Sequence, residues 1–315
     1  MTRTWRTLAV TGVATVAAGS SAGTAWWATY RLLMAQARSA RTAIGRDTAK
    51  PPEADGVYTA GCGEPESWRI GVRFDVHLMI FGDSTAAGVG CGTPDEVPGV
   101  RIARGLADTT GRRIRLSTKA ISGATSKGLA GQVDAMFVAG PPPDVAVILV
   151  GANDVTKKHS VSRSAHRLRQ AVQRLHEAGS VVVVGTCPDL GTVIAIPQPL
   201  RTLVHGWSTR LARAQAAATR SAGGYPVRIG DLLGRDFRSA PEALFSADGF
   251  HPSAAGYELA AGHLLPAVLR ELTDHESRPA DPRPVRAGSV GRVSHLTAGS
   301  DIGGIPGVPR PTGAT

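Results

Sequence analysis

The sequence predicts an α/β fold: a mostly parallel five-stranded sheet with helices packed on both faces. Three observations lead there. Apolar runs of strand length, such as His77-Leu78-Met79-Ile80-Phe81 and the uninterrupted Val145–Val150, end abruptly in turn formers, as strands buried on both faces do. Segments of helical period separate these runs, and that alternation calls for right-handed crossovers between parallel strands. Small polar stretches follow the strands, at the edge where open α/β sheets bind ligands.

The elements follow in order. The first strand starts at Val76 and stops at Gly82-Asp83-Ser84-Thr85. Ser84 is then either a nucleophile or a helix N-cap, and this stretch alone favours the cap. Pro98–Thr109 has helical spacing (Val100, Ile102, Leu106) and ends at Gly111, and Ile114–Thr118 alternates as a second strand. Ala130–Ala139 supplies a helix stopped by Gly140 and three prolines, and Val145–Val150 is the central strand. Ser162–Ala178 places Ala165, Leu168, Val172 and Leu175 on one helix face. Val181–Val184, a helix over Trp207–Ser221 and a short fifth strand Val227–Ile229 come next. Ser253, behind Pro252, caps a closing helix to Leu272.

The chain has 315 residues and 42% hydrophobic content, enough for one sizeable core with terminal segments. The net charge of +10 sits at the ends: the first 50 residues hold seven Lys/Arg against Asp47 alone. The middle keeps too little excess for a nucleic-acid-binding face, so no nucleic-acid partner is expected. Four segments result: 1–48 an N-terminal signal or anchor with its juxtamembrane stretch, 49–70 a Pro/Gly linker, 71–272 the folded domain, and 273–315 a disordered Pro/Gly/Arg tail.

Leu8–Tyr30 runs without a charge behind Arg3 and Arg6, about the length that crosses a bilayer, with Trp26, Trp27 and Tyr30 at its far end. It reads as an uncleaved signal anchor. A signal peptide cut near Gly23-Thr24-Ala25 is the alternative, and a soluble amphipathic helix is the plain one. The expected location is a membrane-anchored extracytoplasmic domain or a secreted one. Arg31, Arg38 and Arg41 keep a cytoplasmic-facing anchor open. The three cysteines, Cys62, Cys91 and Cys187, show no metal spacing. Cys62 and Cys91 would pair only in an oxidising compartment, and Cys187 reads as a buried small hydrophobe.

Three further stretches follow strands or lead into the last helix: Ser122-Gly123-Ala124-Thr125, Gly151-Ala152-Asn153-Asp154 and Asp248-Gly249-Phe250-His251-Pro252. Each alone is ordinary turn or capping chemistry. In this order, all at the carboxyl ends of strands, they form one site with Ser84.

These blocks resemble the SGNH (GDSL-like) hydrolase superfamily, esterases and lipases. Gly82-Asp83-Ser84, Gly123, Gly151-x-Asn153-Asp154 and Asp248-x-x-His251 match its four blocks over roughly Val76–Leu272, with Thr85 where the name-giving motif has Leu. The resemblance implies a flavodoxin-like three-layer α/β/α sandwich and a serine esterase forming an acyl-enzyme. O-acyl transfer, carbohydrate O-deacetylation and a catalytically silent binding module are the alternatives. It also implies Ser84 as nucleophile, His251 as base and Asp248 as the carboxylate orienting it. The Ser84 and Gly123 backbone N–H groups and the Asn153 amide would form the oxyanion hole, with Asp83 and Asp154 supporting the loops.

The chemistry agrees independently: a serine hydroxyl needs a base to take its proton, and an aspartate three residues before the histidine can hold the imidazole. His77, His159, His166, His176, His263, His275 and His295 read as strand-opening, helix-surface or tail residues, and none has ligand spacing, so no metal is expected. Gly88-x-Gly90-x-Gly92 lacks the dinucleotide spacing, so no cofactor is expected either. The expected substrate is a small-molecule ester or an acylated cell-envelope component. Leu190, Phe245 and Phe250 are the expected pocket walls, and Ile194, Ile196 and Leu200 an expected cover.

Overall fold

In the computed structural model, residues 27–39, 42, 50–61 and 63–277 are described. Most of the charge-free N-terminal run, Cys62 and the chain beyond residue 277 lie outside them. The conditional Cys62–Cys91 pairing and the tail thus fall outside them, and among the described residues Cys91 and Cys187 are free and buried. Among the described residues no helix is long and apolar enough to cross a membrane.

Six strands form the sheet: β1 (Gly56–Tyr58), β2 (Val76–Gly82), β3 (Ile114–Thr118), β4 (Val145–Leu149), β5 (Val181–Gly185) and β6 (Tyr225–Val227). Their order is β1-β3-β2-β4-β5-β6. The five predicted strands run parallel and β1 is antiparallel to β3 at one edge. The extra strand corrects the expectation of five. It comes from the stretch read as a linker, where three residues among prolines and glycines are too short to show a period, yet Val57 and Tyr58 are buried. The fifth parallel strand also sits two residues earlier than expected, because Ile229 already begins a helix that the sequence reading missed.

The apolar strands feed two cores by simple alternation. Leu78 and Ile80, Val145 and Val147, and Val181 and Val183 point to one face, against α3 (Pro98–Thr110) and α10 (Ala254–Glu276). Met79 and Phe81, Ala146 and Ile148, and Val182 and Val184 point to the other, against α4 (Leu129–Ala139) and α6 (Val161–Glu177). A period of two with both faces covered produces the unbroken apolar runs of the sequence, and the result is the three-layer sandwich. The remaining helices are α1 (residues 27–39), α2 (Ser84–Ala87), α5 (Ala152–Thr156), α7 (Leu200–Ser221), α8 (Ile229–Ser239) and α9 (Pro241–Leu244). As expected, the Ser253 hydroxyl caps α10, accepting from Gly256 N–H, but the helix runs past Leu272 to Glu276.

The register aligns Gly82 with Leu149 and Leu149 with Gly185, so β2, β4 and β5 end level. Loops leaving that level edge carry the predicted site.

Candidate active site

Ser84 opens α2 directly behind β2, and Asp83, not Ser84, is the cap: its Oδ1 accepts from Thr85 N–H at 3.0 Å and from the Thr85 hydroxyl at 2.7 Å. The capping explanation for Ser84 therefore falls, since its Oγ faces His251 Nε2 at 2.8 Å. His251 Nδ1 meets Asp248 Oδ2 at 2.5 Å. A carboxylate only accepts, so Nδ1 carries the proton and Nε2 is left free to accept the serine hydroxyl. The other Asp248 oxygen accepts from the Ser246 hydroxyl and from the Phe250 and His251 N–H groups at 2.8–2.9 Å. Burial would raise the Asp248 pKa, but the hydrogen bond from the His251 ring and those from the Phe250 and His251 amides outweigh it and hold the carboxyl down at about 2. Asp248 is therefore a fixed negative charge beneath the imidazole.

Two close approaches hold this geometry. Gly82 (φ +136) presses against β4, and a Cβ there would lie 1.8 Å from the Leu149 carbonyl oxygen. Gly90 lets the loop behind Ser84 slide under the histidine loop, where a Cβ would come within 2.4 Å of the Pro252 carbonyl oxygen. The glycine run that resembles a dinucleotide signature thus serves loop packing.

Gly123 and Asn153 lie on the loops behind β3 and β4, which join the Ser84 turn through Ile121 N–H on the Gly82 carbonyl and Asp83 N–H on the Leu149 carbonyl. Gly123 has φ +78 with open space where a Cβ would project, so backbone conformation rather than close approach explains the glycine. Its carbonyl accepts from Lys157 Nζ at 2.7 Å. Asn153 is half-buried in the first turn of α5. Among the described residues, neither its side-chain amide nor the backbone N–H of Ser84 or Gly123 has an acceptor. Asp154 is buried beneath them. It accepts from Ser126 N–H and Oγ, from Ser164 Oγ and from His159 Nδ1 at 2.7–3.1 Å, tying the Gly123 loop to α5 and α6. Asp83 is also fully buried. Desolvation raises its pKa against the hydrogen bonds from Thr85.

Residues 80–259 match the GDSL-like lipase/acylhydrolase family. The chain is also 58% identical over 278 residues to the GDSL-like esterase Rv1075c of Mycobacterium tuberculosis, covering 88% of each chain. The protein belongs to this family. Among solved structures it is similar to an α/β hydrolase from the metagenome of Lake Arreo, Spain (20% identity, 61% of this chain and 94% of that one, TM-score 0.49). It is likewise similar to a putative GDSL-like lipase from Parabacteroides merdae (21% identity, 64% and 98%, TM-score 0.49).

Within this GDSL-like frame several residues escaped the sequence reading. Buried Gln132 bridges both backbone groups of Gly82, accepting from its N–H at 2.8 Å and donating to its carbonyl at 2.7 Å. Buried Gln215 does the same between strand ends, accepting from Cys187 N–H and donating to the Val150 carbonyl. A polar residue on the Leu129–Val133–Met136 stripe was the available signal for Gln132. His159, read as a helix-surface residue, instead contacts Asp154, and His205, overlooked entirely, bonds Asp189 at 2.7 Å. Thr85 ties down Asp83 with a hydroxyl that the family's Leu lacks.

Leu190, Phe245 and Phe250, the expected pocket walls, do line one cavity of about 90 Å³, together with Thr85, Ala152 and Pro252. Ser84 and His251 are not on its wall, but their chain neighbours are. Of the expected cover, Ile196 is buried and Leu200 packs against the same cluster, whereas Ile194 is 49% exposed. Among the described residues no group of His, Cys, Asp and Glu is arranged to hold a metal.

Proposed function

We propose that the protein hydrolyses short- to medium-chain carboxylic esters through an acyl-enzyme on Ser84. The observation that carries this reading is the continuous relay Asp248–His251–Ser84, with both contacts at hydrogen-bond length. Ser84 Oγ attacks the ester carbonyl while Nε2 takes its proton, and Asp248 stabilises the imidazolium. The carbonyl oxygen gains charge against the unpartnered donors of Ser84, Gly123 and Asn153. Collapse expels the alcohol, which takes the proton from Nε2, and leaves the acyl group on Ser84. Water then attacks the acyl carbon, again delivering its proton to Nε2, and releases the acid and free serine. The apolar cavity behind Thr85 and Phe250 suits a short acyl chain, being smaller than the ~150 Å³ that holds a benzene ring.

The domain is held at the membrane through its N-terminal segment, on the extracytoplasmic side, where it meets small esters or acylated envelope components. Activity-based labelling of the full-length protein with a fluorophosphonate, then a p-nitrophenyl ester chain-length series, tests the chemistry. The expected result is labelling at Ser84 and rates that fall for long chains; labelling of another serine, or a maximum at long chains, would contradict it. Membrane sedimentation and protease accessibility on intact cells test the location.

A further inference from the structure

The helix α1 does not stand apart from the site. Gln36 clamps the segment 198–200, donating to the Gln198 carbonyl at 2.5 Å and accepting from Leu200 N–H at 3.3 Å. That segment leads back to Ala195, which lies against Gly249, two residues before His251. On its other flank α1 meets Lys158, whose Nζ lies 3.8 Å from Met34 Sδ. Lys158 adjoins Lys157, which holds the Gly123 carbonyl. The helix therefore lies along the rim of the strand edge that carries the site.

Between α1 and Lys158 is an open groove of about 480 Å³, lined by Tyr30, Arg31, Met34, Ala37, Arg38 and Lys158. Three of the six are cations, and among the described residues none has a carboxylate partner. Lys158 has φ +58 because it closes α5: its N–H donates to the Val155 carbonyl and the His159 N–H to the Asp154 carbonyl, a left-handed helix cap that fixes where the lysine leaves the backbone. Trp27, Arg31, Met34 and Arg38 recur on one helix face, with the Arg31 guanidinium 4.7 Å over the Trp27 ring. Trp27, Tyr30 and Leu32 are each about half exposed.

We infer that this groove binds the phosphate headgroup of an anionic phospholipid, seating the rim of the active site on the membrane surface. Arginines match phosphate oxygens in pairs and the lysine adds a point charge. Aromatic side chains at headgroup level, next to a basic cluster, are what a helix leaving a bilayer presents. In sequence the charge-free run Leu8–Tyr30 ends within the range of α1, so on the proposed attachment the membrane is the occupant that the chain brings there. The inference rests on the proposed membrane attachment, and its consequence is that esters in the outer part of the bilayer lie close to Ser84.

The test uses full-length protein in neutral detergent with monomeric, photoactivatable short-chain phosphatidylglycerol, and phosphatidylcholine as the comparison. The expected result is saturable labelling by the glycerol lipid on peptides spanning Trp27–Arg38 and Lys158. It should be favoured over the choline lipid by roughly a hundredfold, given three basic groups at an anionic surface. Arg31→Gln/Arg38→Gln/Lys158→Gln should lose that preference while melting with the wild type. Should the triple variant melt early, Arg38→Gln alone, on an exposed position, carries the comparison. Equal labelling by both lipids, undiminished labelling of the variant, or competition by inorganic phosphate as effective as by the lipid would each overturn the inference. Failure of the full-length protein to sediment with neutral vesicles would instead count against the anchor, and the monomeric-lipid arm reads the groove regardless.

Discussion

The two sides of Ser84 leave the same strand edge and are finished differently. On the relay side, both ring nitrogens of His251 and both oxygens of Asp248 have partners inside the protein. On the facing side, the Ser84 and Gly123 N–H groups and the Asn153 amide have no acceptor among the described residues, although Asp154 below them is saturated. Unpaired donors are expensive when buried; Gly123 is exposed and Asn153 half-buried, where solvent or a ligand can complete them. The relay is closed within the protein, whereas under the proposed function the donor side receives the oxyanion.

The contrast can be broken most sharply at the relay. Ser84→Ala and His251→Ala should each lower kcat by about 10⁴–10⁶, and the double variant should be no worse, because the pair acts as a unit. A double variant far slower than either, on p-nitrophenyl acetate, would separate the two residues. The donor side should give a smaller and differently shaped loss. Asn153→Ala is expected to reduce kcat by about 10²–10³ with little change in KM, since its bond forms only as charge develops. A raised KM with kcat intact would make it a ground-state binder.

The supporting layer should answer mainly in stability. Gln132→Leu leaves the Gly82 N–H buried and unpaired, at about 1–3 kcal/mol, while the Gly82 carbonyl keeps the Ile121 N–H; denaturant titration checks this, and an unchanged midpoint would remove Gln132 from the supporting layer. The smallest effect is on pH dependence. Asp248 binds its proton more weakly folded than unfolded, so its contribution to stability is complete above the unfolded carboxyl value and fades as pH falls towards about 2. Asp248→Asn should flatten that acid limb of the stability profile. An equally steep limb in the variant would assign it to other carboxylates.

What could be read in advance divides along physical lines. The parallel strands were legible because burial on both faces writes unbroken apolar runs, and α3 and α10 because Gly111 and Ser253 mark their ends. The Asp248–His251 pair was legible because loop chemistry is local in sequence: the two are three residues apart and meet in space. β1 and α8 were not legible. A three-residue strand shows no period, and the start of α8 at Ile229 reads equally well as the end of a strand. Gln132 and Gln215 were hidden for another reason: their partners are backbone groups 50 and 65 residues away, and a backbone group leaves no letter in the sequence. The contact of α1 with residues 198–200 is of the same kind.

The most direct measurement is a crystal structure of the protein inactivated with a fluorophosphonate. The expected structure has phosphorus on Ser84 Oγ and the phosphonyl oxygen about 2.7–3.1 Å from Asn153 Nδ2 and the backbone N–H groups of Ser84 and Gly123, with the His251–Asp248 contact unmoved. A phosphonyl oxygen turned to solvent with those donors still unpaired, or an adduct on another serine, would contradict it.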